Sequence, residues 1–205
     1  MYKICVNYSF EKYGYVQTDL GRAKYVRDKC TECGRFIDSP SFTKEKSVFI
    51  VEGVDAYPDF IYYCCAGTRI YVSKRVKDVL SSHNITGYEE EEFVEVYRQE
   101  ENNLEKKDIG YYSIKVTGVI DFDLKSMQLK KKRICSHCKQ FDWSRQRLNL
   151  VKTAFDAETW DNSDLCSVKS SPGIFICTPR LKQIIEENGF TGVEFTSDER
   201  VFGYN

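Results

Sequence analysis

The chain repeats its own pattern at a fixed spacing of 105 residues. This shift carries one C-x-x-C pair onto the other, which gives the four positions Cys30, Cys33, Cys135 and Cys138. It also superimposes residues 70–89 on residues 175–194, where five positions are identical and most others exchange one apolar residue for another. A metal-type motif and a longer segment in one register predict an internal duplication, with halves 1–105 and 106–205 in a single compact domain.

Each copy of the longer segment predicts a strand, a helix, a turn and a final short strand. In the first copy, residues 60–66 and 69–72 are rich in Ile, Tyr and Cys, as is typical of buried strands, and Ser73 is a suitable N-cap for the helix that follows. In the second copy, residues 173–177 predict the matching strand. The ends of the second helix are indicated by Thr178, Pro179, Asn188 and Gly189.

The region between the two segments predicts more strand than helix. Polar and apolar residues alternate over 93–97 and again within 111–117, as expected for half-buried strands. The polar residues 99–108 are predicted to form the connection between the halves. The predicted class is therefore α+β, built from two pseudo-symmetric, strand-rich halves with one main helix each.

Composition indicates an ordinary soluble protein. The chain is 41% apolar and has a formal net charge of −1, so it shows no overall bias toward nucleic acid or membranes. It has no signal-peptide pattern at its start and no apolar run of the roughly 18 to 20 residues that span a bilayer. We therefore expect a cytoplasmic protein. The five cysteines outside the C-x-x-C pairs are predicted to be buried, reduced thiols: Cys5, Cys64, Cys65, Cys166 and Cys177.

The two C-x-x-C pairs predict one structural zinc ion. Two such turns that face each other supply the four soft thiolates of a closed tetrahedral site, and a pseudo-twofold arrangement of the halves would bring them together. Gly34 suits the left-handed turn after the first pair, whereas the second pair is followed by Lys139, at a cost of about 1 kcal/mol if it adopts that conformation. The alternatives are packed cysteines without metal and, less in keeping with the pattern, a redox C-x-x-C site.

These motifs resemble the double-CXXCG family. Each C-x-x-C turn, called a knuckle below, is followed about forty residues later by a strand and a segment with a Ser or Thr cap, an Arg, a Lys and a Thr-Gly turn. The resemblance extends over most of the chain. Bacterial members of that family are associated with polymorphic toxin systems, where they resemble immunity proteins. The resemblance implies that the chain binds and neutralises a cognate, co-encoded toxin. We also expect the chain to be a monomer in the free state.

Charge is unevenly distributed along the chain. Residues 85–108 contain nine acidic and three basic residues, whereas residues 124–152 contain nine basic residues and one acidic residue. The acidic stretch suggests a surface that binds a basic toxin cleft, through Glu89, Glu90, Glu91, Glu92 and Glu95. The basic stretch suggests the alternative function, a zinc-ribbon protein that binds nucleic acid or has a regulatory role through residues 124–152. Either stretch is also compatible with a solvated face that has no partner.

Catalytic motifs are missing from the sequence. It has no glycine-rich phosphate loop, no G-x-S-x-G elbow and no H-E-x-x-H motif, and it contains only two histidines. A cysteine nucleophile would need a histidine partner, and only a chance approach of His83 to Cys64 or Cys65 would provide one. We therefore expect a binding protein rather than an enzyme.

Overall fold

The part of the chain that the structure describes contains two β-sheets and two α-helices, which confirms the predicted α+β class. The computed structural model describes residues 1–5, 15–18, 30–34, 48–52, 57–61, 68–100, 103–123, 125–127, 134–139 and 155–196. The first seven strands are β1 (Tyr2–Cys5), β2 (Tyr15–Thr18), β3 (Val48–Glu52), β4 (Phe60–Ile61), β5 (Arg69–Ser73), β6 (Tyr88–Glu100) and β7 (Asn103–Val116). The other five are β8 (Gly118–Phe122), β9 (Phe155–Asp156), β10 (Leu165–Val168), β11 (Ser171–Cys177) and β12 (Glu194–Thr196).

The strands form two sheets of six. Sheet I has the order β2-β3-β6-β7-β5-β4, and sheet II has the order β12-β1-β11-β10-β8-β9. Neighbouring strands are antiparallel except for β3 with β6 in sheet I and β8 with β10 in sheet II. Sheet I is thus built from the continuous stretch 15–116, whereas sheet II combines residues 118–196 with the N-terminal strand.

Both helices begin and end where the sequence predicts them. Helix α1 (Lys74–Ser82) and helix α2 (Pro179–Glu187) have equal lengths and lie 105 residues apart. Each begins after a hydroxyl N-cap: Ser73 accepts a hydrogen bond from the Val76 backbone N–H at 3.3 Å, and Thr178 accepts one from Leu181 at 3.2 Å. These bonds satisfy N–H groups that the first turn of a helix leaves without partners.

One hydrophobic core is shared by both sheets and both helices. Helix α1 contributes Val76 and Leu80, and α2 contributes Leu181 and Ile185, all of which are at most 2% exposed. They pack in one cluster with apolar side chains from both sheets, among them Ile4, Ile70, Ile114 and Phe175. The cluster therefore contains side chains from both sheets and both helices, and the single compact domain stays a prediction.

The N-terminal strand fills in sheet II the place that β7 fills in sheet I. In sheet II, β1 lies between β11 and β12, and in sheet I, β7 lies between β5 and β6. The registers also agree: Ile4 is opposite Phe175, and Ile114 is opposite Ile70. The pattern Tyr-x-Ile-x-Val at residues 2–6 and 112–116 marks this equivalence in the sequence.

The sequence-based prediction for residues 99–108 is wrong. These residues do not form a long connection, because β6 continues to Glu100 and β7 begins at Asn103. Arg98 lies opposite Glu105 in the strand register, so opposite charges pair across the hairpin. Such cross-strand pairs stabilise the two strands here, although the sequence lacks the apolar alternation of a typical strand. The division between residues 105 and 106 falls inside β7. The predicted strand at 60–66 begins at Phe60, and residues 62–67, including Cys64 and Cys65, lie outside the described residues.

Two clasps of the same chemistry join the halves. In the first, the Asp59 carboxylate accepts hydrogen bonds from the backbone N–H of Thr191 at 2.9 Å, from the Ser73 hydroxyl at 2.8 Å and from the Arg75 guanidinium at 2.7 Å. Arg75 also donates to the backbone carbonyl of Asn188 at 3.2 Å, beyond the end of α2. Asp59, the residue directly before β4, is thereby bound to the turn that follows the helix of the other half.

The second clasp repeats these contacts 105 residues later. The Asp164 carboxylate accepts hydrogen bonds from the Thr86 backbone N–H at 3.2 Å, from the Thr178 hydroxyl at 2.9 Å and from Arg180 at 2.8 Å. Arg180 also donates to the backbone carbonyl of His83. Every partner of Asp164 is thus the counterpart of a partner of Asp59.

Thr-Gly turns complete both clasps. The Phe60 N–H donates to the Thr191 carbonyl at 3.0 Å, and the Leu165 N–H donates to the Thr86 carbonyl at 3.1 Å. The glycines that follow, Gly87 and Gly192, have φ angles of +92° and +81°. The sequence motif of Ser or Thr, Arg and Thr-Gly is therefore explained by contact between the halves.

Candidate metal centre

The four predicted ligand cysteines come together in space. The Sγ atoms of Cys30 and Cys135 are 3.6 Å apart, and those of Cys33 and Cys138 are also 3.6 Å apart. All four sulfurs lie within 4.8 Å of one another. Sulfurs bound at 2.3 Å to a tetrahedral zinc ion would be about 3.8 Å apart, so the cluster has dimensions that fit such an ion. Each half of the chain contributes one C-x-x-C pair to the cluster, and the two knuckles face each other.

Each knuckle is a tight turn closed by a backbone hydrogen bond. The Gly34 N–H donates to the Cys30 carbonyl at 2.8 Å, and the Lys139 N–H donates to the Cys135 carbonyl at 3.0 Å. Both closing residues are left-handed, with φ of 71° at Gly34 and 60° at Lys139, which confirms the conformation predicted for the two positions. The Lys139 ammonium donates to the backbone carbonyl of Ser136 and so adds a bond that Gly34 does not have.

The hydrogen bonds around Cys30 favour the thiolate form of this residue. Burial alone would raise the pKa of Cys30, but hydrogen bonds from the backbone N–H groups of Cys33 and Glu32, together with bonds from the thiols of Cys33 and Cys135, lower it to about 6. Cys30 is thus a thiolate at neutral pH, which is the form that binds metal.

The cysteines of the core are different. Cys166 and Cys177 are fully buried and reduced, as predicted, and burial raises the pKa of each thiol to about 12. They therefore remain protonated and belong to the hydrophobic core. Cys5 lies in β1, and nothing is described of its side chain.

A carboxylate links the two knuckles. Glu32, in the first knuckle, accepts a hydrogen bond from the Ser136 hydroxyl in the second, and the Cys135 thiol lies 3.7 Å from its carboxylate. The bond from Ser136 is the main reason that the pKa of Glu32 is lowered. Sequence reasoning missed this contact, because Glu32 and Ser136 are not counterparts in the 105-residue repeat and no local pattern connects them.

The predicted acidic partner residues lie on β6 and are balanced by cations of the same chain. Glu91 receives two hydrogen bonds from Arg69, at 2.6 and 3.0 Å, and one from Ser113 at 2.9 Å. The other ion pairs join Glu90 to Lys77 at 3.1 Å, Glu95 to Lys106 at 2.6 Å and Glu89 to Lys115 at 4.0 Å. Glu92 is exposed on the same strand. A partner at this surface would therefore have to exchange some of these ion pairs, and the role of the five residues stays a prediction.

The basic stretch 124–152 lies mostly outside the described residues. Of its nine basic residues, Lys125 and Lys139 are described, and both are exposed. No helix in the described part of the chain has the length and apolar character needed to cross a bilayer.

The fold and its centre define an α+β protein whose halves meet at a four-cysteine cluster suited to a metal ion. Comparison with protein families adds the particular assignment. Residues 16–199 match the model of the immunity protein family Imm11, and the chain belongs to this family. No curated protein matches the chain.

Proposed function

We propose that this protein binds and neutralises a cognate toxin, most simply one encoded beside it, as a cytoplasmic monomer that forms a one-to-one complex. The observation that carries this proposal is membership of an immunity protein family over nearly the whole chain. The lack of catalytic motifs agrees with a role in which tight binding blocks the toxin.

A single structural zinc is part of the proposal. The four sulfurs of Cys30, Cys33, Cys135 and Cys138 support it, because their number, chemistry and spacing fit a closed tetrahedral site. The ion would be held by both halves, so its binding free energy would contribute to folding. No fifth protein ligand or open position is needed in this role.

We also propose that the two halves arose by duplication of one module. The supporting contacts are those that recur at the 105-residue spacing: the two helices, the paired sulfurs, the Asp clasps and the Thr-Gly turns. Strands β1 and β7 also occupy equivalent places in the two sheets, but their positions in the sequence are not related by the 105-residue shift.

A protection assay tests the immunity function. Cells that express the toxin domain encoded by the neighbouring gene should survive only when this chain is co-expressed, and the purified proteins should elute together at equal stoichiometry. A reversed-orientation insert, which is transcribed but encodes no immunity protein, controls for expression load. Survival equal to that control would contradict the proposal.

Nucleic-acid binding is the competing function, and the basic stretch 124–152 is what favours it. A protein that binds through phosphate contacts shows an affinity that falls steeply with salt. Titration of labelled single- and double-stranded DNA and RNA at low salt should give no saturable binding if immunity is the function. Saturable, salt-sensitive binding without protection from the toxin would favour the alternative.

A further inference from the structure

We propose that the groove between the β6–β7 hairpin and the start of α1 is where the cognate toxin docks, and that it receives an apolar side chain flanked by carboxylates. This inference rests on the proposed immunity function and deepens it. The groove has a volume of about 580 Å³ and is open to solvent. Its walls include Tyr57, Lys74, Phe93, Lys106, Ile109 and Tyr112. We refer to it as the hairpin groove.

Two large apolar side chains are exposed at the hairpin groove. Phe93 is 48% exposed and Ile109 is 37% exposed, and among the described residues these are the exposed large hydrophobic side chains. Both line the same groove, on neighbouring strands. Isolated exposed apolar residues are ordinary on protein surfaces, whereas their concentration in one concave site is typical of binding sites.

The exposed ring of Phe93 is held in place by the fold. It packs edge-on against Tyr112 with ring centroids 5.3 Å apart, and it lies directly over Gly110. A Cβ atom at position 110 would come within 2.1 Å of the ring, so only glycine permits this placement. The ring is thus preorganised as an anchor, which lowers the entropy lost when a partner binds.

The β6–β7 hairpin carries both exposed apolar side chains. Strands β6 and β7 contain 13 and 14 residues. Phe93 lies in β6 and Ile109 lies in β7, so two long paired strands hold both side chains at one surface.

The charge at the rim of the groove indicates what the toxin presents. The residues that line the groove include three lysines, Lys74, Lys106 and Lys107, and one further acidic residue, Asp108. Arg75 and Asp59, which also line it, form an ion pair with each other. The three lysines contact carboxylates just outside the groove: Asp78 at 2.5 Å, Glu95 at 2.6 Å and Glu105 at 2.8 Å. Surface ion pairs contribute little, so a carboxylate of the toxin can replace these partners or share the ammonium donors.

An unsatisfied hydroxyl lies in the same wall. The Tyr57 oxygen is shielded from solvent and has no hydrogen-bond partner in the described part of the chain. Buried polar groups normally have partners, and those without one often belong to functional sites. A rotation of the Tyr57 side chain toward the groove would let this hydroxyl bind a polar group of the toxin beside its apolar side chain.

Affinity for the toxin domain encoded by the neighbouring gene tests the proposal. Phe93→Ser and Ile109→Ser should each weaken binding tenfold or more, measured by calorimetry with the purified proteins. Lys106→Glu should weaken binding more than Lys106→Gln, because reversal adds repulsion toward the toxin's carboxylates. Gln183→Ala, an exposed change on α2 away from the groove, is the matched control and should bind like wild type.

The outcomes separate this inference from the immunity function. If wild type protects cells but Ile109→Ser and Lys106→Glu bind within threefold of wild type, the hairpin groove is not the docking site. If Glu89→Gln and Glu92→Gln are the changes that weaken binding, the acidic stretch is the docking surface instead. Loss of a wild-type dimer in Ile109→Ser, measured by light scattering, would assign the groove to a second copy of this chain. Thermal unfolding checks that each variant is folded. If Phe93→Ser does not fold, Ile109→Ser and Lys106→Glu still decide whether the toxin docks in the hairpin groove.

Discussion

At the scale of single residues, two aspartates outside the predicted motifs join the halves together with the two motif arginines. Asp59 and Asp164 are 8% and 7% exposed, and each is bound by a hydroxyl, an arginine and the backbone of the other half. They follow the same 105-residue spacing, each before an apolar strand residue, Phe60 or Leu165. The match of Asp59 with Asp164 can be found in the sequence, but a single matching residue does not indicate a functional motif.

The clasp at Asp59 predicts a pH-dependent contribution to stability. Burial alone would raise the pKa of Asp59, but hydrogen bonds from Arg75, Thr191 and Ser73 outweigh burial and leave the pKa below its ordinary value. A carboxyl whose pKa is lowered on folding stabilises the protein above its unfolded pKa of about 4, and this stabilisation is lost as the pH falls through the folded pKa. Asp59→Asn should therefore cost about 1–3 kcal/mol at pH 7.

The measurement is urea unfolding of Asp59→Asn and wild type at pH 7 and again near pH 3. The difference between the two proteins should shrink at the lower pH, because wild type then loses the charged form as well. Glu158→Gln, at an exposed carboxylate, is the control and should show little difference at either pH. An equal difference at both pH values would mean that the charge of Asp59 is not what stabilises the clasp.

The cysteines predict a sharp division between metal ligands and core thiols. Cys138→Ser should reduce the zinc content from about one ion per chain to nearly none, because a site that loses one of four thiolates no longer closes. Cys166→Ala should retain the ion although it leaves a small gap in the core, since its thiol is protonated and far from ionising at neutral pH. Elemental analysis of both purified variants beside wild type makes the comparison. Zinc retained at full occupancy in Cys138→Ser would remove this residue from the site.

At the scale of elements, local signals predicted the helices and the knuckle turns, and non-local pairing decided the rest. Ser73 and Thr178 cap their helices as expected because an N-cap needs only the next three residues. The polar end of the β6–β7 hairpin was misjudged, since cross-strand pairs such as that of Arg98 with Glu105 replace apolar alternation there. The place of β1 in sheet II was missed, because its partners are some 170 residues away and nothing local identifies them.

The cost of replacing glycine by alanine should differ between a Thr-Gly turn and the glycine that ends α2. At Gly87 a Cβ atom would meet the Leu165 carbonyl oxygen at 2.0 Å, in addition to the strain of a φ of +92°. At Gly189 the φ of +60° is also left-handed, but no atom lies within 4 Å of the added Cβ. Gly189→Ala should cost about 1–2 kcal/mol from backbone strain alone, and Gly87→Ala should cost about 3 kcal/mol or more because the contact between halves must also open.

Denaturant unfolding of Gly87→Ala and Gly189→Ala under identical conditions measures the difference in their free energies of unfolding. Gly192→Ala is a third variant for comparison, since its Cβ would meet the Phe60 carbonyl oxygen at 2.4 Å in the other clasp. It should resemble Gly87→Ala and not Gly189→Ala. Equal costs at all three positions would show that the turns do not press against the opposite half.

At the scale of the whole molecule, each side of the β6–β7 connection supplies a strand to the sheet of the other side. Residues before this connection contribute β1 to the interior of sheet II, and residues after it contribute β7 to the interior of sheet I. The shared core, the two clasps and the cysteine cluster cross the same boundary. We therefore expect these contacts to hold the molecule together without the peptide bonds at residues 101–102.

Cleavage at that connection tests the exchange of strands. A protease site inserted at residues 101–102 should be cut completely, yet the two fragments should elute together from a size-exclusion column until denaturant is added. The inserted but uncut protein is the control for the insertion itself. Fragments that separate in native buffer would show that the two strands and the clasps are too weak to hold the halves.

The position of β1 also sets the order in which a newly made chain becomes protected. This strand is translated long before its neighbours β11 and β12, which begin at Ser171 and Glu194. Segments that are contiguous in sequence usually fold from the N-terminus as they emerge, whereas β1 must wait until both of its neighbours have been made. Sheet II is consequently unfinished until translation has passed Thr196, and every shorter nascent chain leaves at least one edge of β1 without its partner strand.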